Sequence, residues 1–224
     1  MNHYDFVVPI GRNCRPAGNL RDFGAYKYGL PFDWKVFSLD AFLHVLETDF
    51  ADYFVNVEPV EGSPVFVGDT VYVRDLSNDI LSAHDFLKYE DVEKQRVQMI
   101  KENRTAGRFM MKKIRRSKHV LLLSSRSEES REELIDFLHR FSKLFPEPDI
   151  TLMNIRHKAE LPYDLFEETV SWSEGKLHFD EYAINEVDES ADYEEVGWKG
   201  NQRQWYAILS RYIPLEPVRP SEPD

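Results

Sequence analysis

Short apolar runs alternate along this chain with longer segments in which apolar residues recur at helical spacing. Residues 6–10, 119–125 and 150–155 form three such runs, and each predicts a buried strand. Between the last two, residues 128–145 predict a helix whose apolar side is formed by Leu134, Phe137, Leu138, Phe141 and Leu144. Strand, helix and strand at these lengths are typical of a βαβ unit, with a right-handed crossover and a parallel sheet.

The first apolar run leads into a turn at residues 11–14 and then a short helix at residues 15–23, which ends at Gly24. Together with the βαβ unit this predicts an α/β fold, a three-layer core with a mostly parallel sheet and an added β-hairpin. In such sheets ligands bind beyond the carboxyl ends of the strands. Cys14, residues 124–126 and residues 154–157 all fall at such ends, so the sequence predicts a site there.

The remaining segments predict peripheral elements. Ser38 caps a helix at residues 39–47. Residues 65–67 and 70–73 predict a hairpin around Gly68-Asp69, and residues 90–117 predict a charged helix with an interruption at Gly107. Residues 169–172 predict an edge or parallel strand that forms a hairpin with residues 176–179. We also predict a solvated acidic loop at 181–195 and a helix at 202–212. We expect a single domain over residues 1–213 and a disordered proline-rich tail over 214–224.

Composition and charge narrow the classes of function. The 224 residues carry a formal net charge of −12, which argues against general nucleic-acid binding and against binding to an anionic membrane surface. The sequence has no apolar run of membrane-spanning length and no N-terminal signal, so we expect a cytoplasmic protein. A single cysteine excludes an internal disulfide, and the histidines are scattered, so we predict neither a metal nor a cofactor.

Cys14 is the residue whose chemistry the sequence points to first. It lies where a strand end meets a helix start, and backbone N–H groups at that start favour an anion such as a thiolate. Arg12 and Arg15 flank it and predict a lowered thiol pKa. The alternative, which the residues leave open, is that Cys14 is a small apolar packing residue.

The residues around Cys14 carry a resemblance to a known protein family. The pattern I-G-x-N-C, followed by Leu20-Arg21 and by Pro31-Phe32-Asp33-Trp34, resembles a bacterial family catalogued as papain-like cysteine peptidases. Its other marks are Asp49-Phe50 with Tyr53-Phe54, and His84-Asp85-Phe86 before a Lys/Arg-rich helix. The resemblance spans about residues 6–157. It implies that Cys14 is the nucleophile and His84 the base.

The other roles follow from that implication and have alternatives. Asp33 is a candidate to orient the imidazole of His84, but an aspartate in this loop also favours bonding to neighbouring N–H groups. N–H groups after Gly11 are candidates for an oxyanion hole. Papain-like enzymes pair the cysteine with a histidine on an antiparallel sheet, whereas the βαβ pattern favours a doubly wound α/β fold. On that second interpretation His157 competes with His84 as the base.

Two functions therefore remain. The first is a cysteine-nucleophile hydrolase or acyl transferase acting on a peptide or small-molecule substrate. The second is a non-peptidase α/β protein that binds a phosphate- or carboxylate-bearing ligand at the strand ends, with Cys14 structural. The predicted substrate-binding residues are Gly11, Arg12, Asn13, Arg15 and Arg126, and on the second interpretation Arg12, Arg15 and Arg126 bind the anionic group. The sequence leaves the oligomeric state open.

Overall fold

The computed structural model describes residues 4–61, 69–187 and 197–216. The strands are β1 (Phe6–Pro9), β2 (Lys35–Val36), β3 (Val57–Pro59), β4 (Thr70–Asp75), β5 (Ile80–Leu87), β6 (His119–Ser124), β7 (Asp149–His157), β8 (Phe166–Glu174) and β9 (Leu177–Ile184). The helices are α1 (Arg15–Asp22), α2 (Leu39–Glu47), α3 (Val92–Arg116), α4 (Arg131–Leu144) and α5 (Gln202–Leu209), with a 3-10 turn at Gly197–Lys199 before α5. No helix in these ranges is both long and apolar enough to cross a membrane.

The larger sheet has the strand order β1-β6-β7-β9-β8, and all its pairs are parallel except the β8–β9 edge. The predicted α/β fold with a mostly parallel sheet is confirmed. Its βαβ unit is β6-α4-β7, in which α4 begins at Arg131, later than predicted. The helix starts there because Ser130 and Glu133 form a reciprocal capping box, with the Glu133 N–H donating to Ser130 Oγ at 3.2 Å.

Helices cover both faces of this sheet. Side chains alternate between the faces along β9. Asp180 accepts a hydrogen bond of 2.8 Å from Tyr212, just beyond α5, whereas its neighbour Glu181 accepts one of 3.0 Å from Arg131 at the start of α4. The arrangement of helix, sheet and helix is the predicted three-layer core.

A second, antiparallel sheet has the order β2-β5-β4-β3. It includes the predicted strand residues 70–73, whereas the predicted partner strand 65–67 and Gly68 lie outside the described residues. The strand β5, which carries His84, was not predicted, because polar Ser82, His84 and Asp85 interrupt its apolar pattern. A bulge in β5 interrupts the β4–β5 register: Val71 pairs with Phe86 and Val73 with Ser82, so that residues 83–85 lie opposite Tyr72 alone.

The predicted interruption of α3 at Gly107 is wrong. The helix runs unbroken from Val92 to Arg116, and Gly107 is buried within it. A Cβ at this position would lie 2.3 Å from the Phe50 ring. The glycine therefore serves close packing of the helix against Phe50 rather than a break.

The C-terminal region confirms one prediction and corrects two others. The predicted hairpin exists as β8 and β9, with Gly175 at φ +59° in the turn. The predicted solvated loop at 181–195 is wrong for residues 181–184, which belong to β9, and residues 188–195 lie outside the described part of the chain. The helix α5 ends at Leu209, three residues earlier than predicted. Of the predicted tail only residues 214–216 are described, and Glu216 donates its N–H to Phe23 O at 2.9 Å.

Candidate active site

Cys14 is the N-cap residue of α1, directly after the turn that follows β1. Its backbone is helical, with φ −70° and ψ −10°, and its side chain is half-buried. Pro16 stands in the first turn of α1, where a missing N–H breaks no helical hydrogen bond. The Cys14 backbone N–H acts on the residue's own sulfur and lowers the thiol pKa, by less than burial raises it. The sulfur therefore lies at the N-terminus of a helix, beside an N–H donor.

The environment does not lower the pKa of this thiol. Burial raises the pKa of Cys14, and the charge of Arg15 lowers it by a smaller amount. The predicted net lowering of the thiol pKa is therefore wrong, although Arg15 acts in the predicted direction. Both guanidinium groups are paired with carboxylates, Arg12 with Glu128 and Arg15 with Glu186 at 3.2 Å, which offsets their field at the sulfur.

His84 lies half-buried on β5, the second strand of the antiparallel sheet. Burial lowers the pKa of His84; the charge of Asp85 opposes this shift and that of Lys35 adds to it. The neutral imidazole is thus the favoured form near pH 7. Asp85 itself is bound by Lys35 and Ser82.

One chain of contacts brings Cys14 and His84 to the same side of the molecule. The His84 ring lies 5.5 Å from the Trp34 ring, which lies 6.1 Å from Trp198, and Trp198 lies against Gly18, one turn after Cys14. Tyr72 lies opposite residues 83–85 on the neighbouring strand. Burial raises the pKa of Tyr72, and the charge of Cys14 raises it further by a smaller amount. Among the described residues, however, no hydrogen bond joins the Cys14 sulfur to His84.

Asp33 is buried, at 2% exposure, and is fully engaged within its own loop. It accepts hydrogen bonds from Tyr26 Oη at 2.7 Å, Arg21 Nη2 at 3.1 Å and the Leu30 N–H at 3.0 Å. None of these donors is His84. The contacts correspond to the loop-holding alternative, in which Asp33 fixes the segment that presents Trp34.

A crevice of about 420 Å³ lies at the carboxyl ends of the strands, where the sequence predicts a site. It is lined by Arg12, Asn13, Arg15, Val36, Ser125, Ser127, Glu128 and His157. Three predicted binding residues, Arg12, Asn13 and Arg15, therefore share one cavity. Asn13 is fixed there because its Oδ1 accepts the Arg15 N–H at 3.0 Å.

The other two predicted binding residues have contacts within the fold. Arg126 is 1% exposed, and all its guanidinium nitrogens donate hydrogen bonds: to Ile10 O at 3.1 Å, Glu129 at 2.6 Å and Phe37 O at 2.8 Å. A Cβ at Gly11 would lie 2.4 Å from the Pro16 ring. Gly11 therefore lets the turn after β1 close against α1.

His157, the competing base, lies exposed at the end of β7. The ring Nδ1 of His157 accepts the Glu186 backbone N–H at 3.1 Å, and the backbone N–H of His157 donates to Ser127 Oγ at 3.1 Å. A neutral histidine whose Nδ1 accepts carries its proton on Nε2. That ring therefore offers no second nitrogen to take a proton from a thiol, which favours His84.

Sequence reasoning missed the contribution of Trp198 to the site. No local motif marks this residue, although the flanking glycines in Gly197-Trp198-Lys199-Gly200 hinted at a special position. Within the described ranges, no group of three or more His, Cys, Asp or Glu side chains is arranged to hold a metal ion.

Comparison with protein families bears on this arrangement. The model of a family described as "Putative papain-like cysteine peptidase" matches residues 5–159. The chain belongs to this family. The match agrees with the resemblance predicted over residues 6–157, includes Cys14, Asp33 and His84, and ends before β8. Searches of the curated proteins and of the solved structures each found no match.

Proposed function

We propose that this family member is a cysteine-nucleophile hydrolase or acyl transferase, with Cys14 as nucleophile and His84 as base. One observation carries the proposal. Cys14 and His84 lie on two sides of one aromatic cluster, formed by Trp34 and Trp198. The Cys14 thiol is half-buried at a helix start, and the His84 imidazole is half-buried on an antiparallel strand. Membership of a family described as cysteine peptidases supports the same chemistry.

The reaction starts from neutral partners, because burial raises the thiol pKa of Cys14 and lowers the pKa of His84. As the sulfur attacks the substrate carbonyl, the imidazole takes the thiol proton, and the Cys14 N–H donates to the oxyanion. The imidazolium then protonates the leaving amine or alcohol, and a thioester remains on Cys14. Water completes hydrolysis, or an acceptor nucleophile completes acyl transfer. In this scheme His84 moves to within hydrogen-bond reach of the sulfur when a substrate or an alkylating reagent enters the site.

The other predicted residues take supporting roles. Asp33 is a positioning residue, which acts through the Trp34 loop rather than on the imidazole. Arg12, Asn13 and Arg15 line the adjacent crevice and bind the polar part of a peptide or small-molecule substrate.

The first test is the rate of Cys14 alkylation by iodoacetamide between pH 5 and 10, which reports on one thiol because the chain has a single cysteine. We expect rapid reaction at pH 7 to 8, with a falling limb below pH 6.5, because His84 takes the thiol proton. In His84→Ala only the rise above pH 9 should remain, as expected for an isolated buried thiol. His139→Ala, a histidine change on α4, is the control. Identical profiles of alkylation rate against pH in all three proteins would contradict the Cys14–His84 pair.

The second test detects the acyl enzyme. With p-nitrophenyl acetate we expect a burst of one equivalent of nitrophenol and an acetyl group on Cys14 by mass spectrometry. His84→Ala should slow acylation about 10²- to 10⁴-fold, the usual contribution of a general base, whereas His139→Ala should leave it unchanged. A burst that persists in Cys14→Ser would sink the assignment of the nucleophile.

The strand-end crevice favours a second candidate, a protein that binds an anionic ligand through Arg12 and Arg15 with Cys14 structural. On this alternative Cys14 stays unreactive in the native protein. Inorganic phosphate would then raise the melting temperature of wild type and Cys14→Ser equally, and Arg12→Gln would abolish the rise.

A further inference from the structure

Trp198 lies against α1 at the position where Gly18 has no side chain. A Cβ at Gly18 would lie 2.6 Å and 2.8 Å from two carbons of the indole ring. Gly18 is one helical turn after Cys14 and donates its N–H to Cys14 O at 2.9 Å. Residues four apart share one face of a helix, with Cβ atoms about 5–6 Å apart. The Trp198 ring therefore lies about one turn from the Cys14 sulfur.

The backbone that carries Trp198 is fastened to α1. Arg15 Nε donates to Trp198 O at 3.0 Å, and Asn19 Nδ2 donates to Lys199 O at 2.9 Å. Lys199 also pairs with Asp22 at 2.6 Å. Trp198 nevertheless remains 38% exposed. It is thus a pre-positioned aromatic surface rather than a core side chain.

Trp34 extends this surface toward His84. Its ring lies 6.1 Å from Trp198, with an interplanar angle of 59°, and 5.5 Å from His84. The Arg21 guanidinium lies 5.2 Å over Trp34 and also binds Asp33, which fixes the loop. Two indoles and one imidazole therefore form a continuous, partly exposed aromatic surface beside Cys14.

We propose that Trp34 and Trp198 form a tryptophan subsite, which binds an aromatic or large apolar group next to the carbonyl that Cys14 attacks. The inference rests on the proposed function and names its substrate class. A neutral ring suits the subsite better than a cation, because Arg21 and Lys199 already lie over the two indoles. Since Trp198 lies beyond residue 159, the segment outside the family match supplies this selectivity.

The test compares two reagents on Cys14, iodoacetamide and its N-benzyl derivative, each rate being divided by the rate with N-acetylcysteine. We expect wild type to prefer the benzyl reagent about 5-fold, which corresponds to an aromatic contact of about 1 kcal/mol. Trp198→Ala should abolish the preference and Trp198→Phe should retain most of it. Gly18→Ala should also abolish it, since the new methyl group displaces the indole.

Trp172→Ala, on the edge strand β8, is the matched control and should keep the preference. Equal normalised rates in wild type, or a preference that survives Trp198→Ala, would overturn the subsite. His84→Ala separates the two proposals, because it should slow both reagents, whereas a preference for the benzyl reagent should persist through Trp34 and Trp198. If His84→Ala changes neither rate but the preference depends on Trp198, the catalytic pair fails and the subsite stands.

Discussion

Glu181 is an acidic residue that the sequence assigns to solvent and the fold places in the interior. Its carboxylate is 1% exposed and accepts hydrogen bonds from Arg131 Nε at 3.0 Å, Arg156 Nη2 at 2.8 Å and Asn154 Nδ2 at 3.2 Å. Arg156 in turn donates to Ser127 O at 2.6 Å, in the loop that lines the crevice. A buried charge is tolerated here because it is paired and hydrogen-bonded.

This network predicts a pH-dependent stability. Burial by itself raises the pKa of Glu181, but hydrogen bonds from Arg156, Arg131 and Asn154 outweigh it and hold the pKa below the ordinary 4.5. A depressed carboxyl pKa contributes stability above pH 4.5, which is lost as pH falls through the folded pKa. Glu181→Gln should therefore cost about 2–4 kcal/mol at pH 7 and flatten the acid limb of stability.

Urea unfolding at pH 7, 4 and 3 measures both effects. Glu167→Gln, which removes a half-exposed carboxylate paired with Lys158, is the control and should cost less than about 1 kcal/mol. Equal losses in the two variants, or an unchanged acid limb in Glu181→Gln, would show that the network does not hold the sheet.

At the scale of elements, α3 shows how a glycine inside a helix depends on its neighbour. Glycine weakens an isolated helix by about 1 kcal/mol relative to alanine, so sequence reasoning treats it as a break. The helix nevertheless runs through Gly107, where Phe50 occupies the space of a side chain. Phe50 has φ +62°, so its backbone leaves little freedom to withdraw the ring.

We therefore expect Gly107→Ala to destabilise the protein by about 1–3 kcal/mol, because the overpacking against Phe50 exceeds the gain in helix propensity. Urea unfolding followed by tryptophan fluorescence gives the change. Gly29→Ala is the control, since a Cβ there meets no atom within 4 Å. The added change Phe50→Leu should recover part of the loss; a stabilised Gly107→Ala would refute the packing argument.

At the scale of the whole molecule, Arg126 connects three parts of the fold. It donates to Ile10 O after β1, to Phe37 O between β2 and α2, and to Glu129 before α4. Its guanidinium also lies 5.2 Å over the Phe37 ring. The residue thus ties the larger sheet to the segment that follows β2, a strand paired with the His84 strand β5.

Removing this connection should affect both stability and the site. Arg126→Met should cost about 3–5 kcal/mol, because two buried carbonyls and Glu129 lose their donor. It should also weaken the dependence of Cys14 alkylation on His84. Arg12→Met is the control: its pair with Glu128 is exposed, so a loss below about 1 kcal/mol is expected in urea unfolding. Similar losses in both variants would remove Arg126 from this role.

Much of the main sheet follows from local pattern. The apolar runs at β1, β6 and β7 and the spacing in α4 predicted a parallel α/β core, since long buried strands and an amphipathic helix need no information from distant residues. The strand β5 did not follow, because Ser82, His84 and Asp85 break its alternation. They are accommodated by a bulge in β5 opposite Tyr72 and by Lys35 of β2, and both depend on partner strands that lie far away in the sequence.

The candidate site divides in the same way. The sequence by itself determined the position of Cys14 at a helix start, the crevice at the strand ends and the family, because each depends on residues close together in the chain. Only the tertiary structure decided the state of the thiol and its neighbours. Burial of Cys14 and the pairing of Arg12 and Arg15 with carboxylates set the pKa of the thiol. Trp198, which is 184 residues away in the sequence, packs against α1 at Gly18, one turn after Cys14. Desolvation and long-range packing depend on which surfaces the fold brings together, and no local pattern records them.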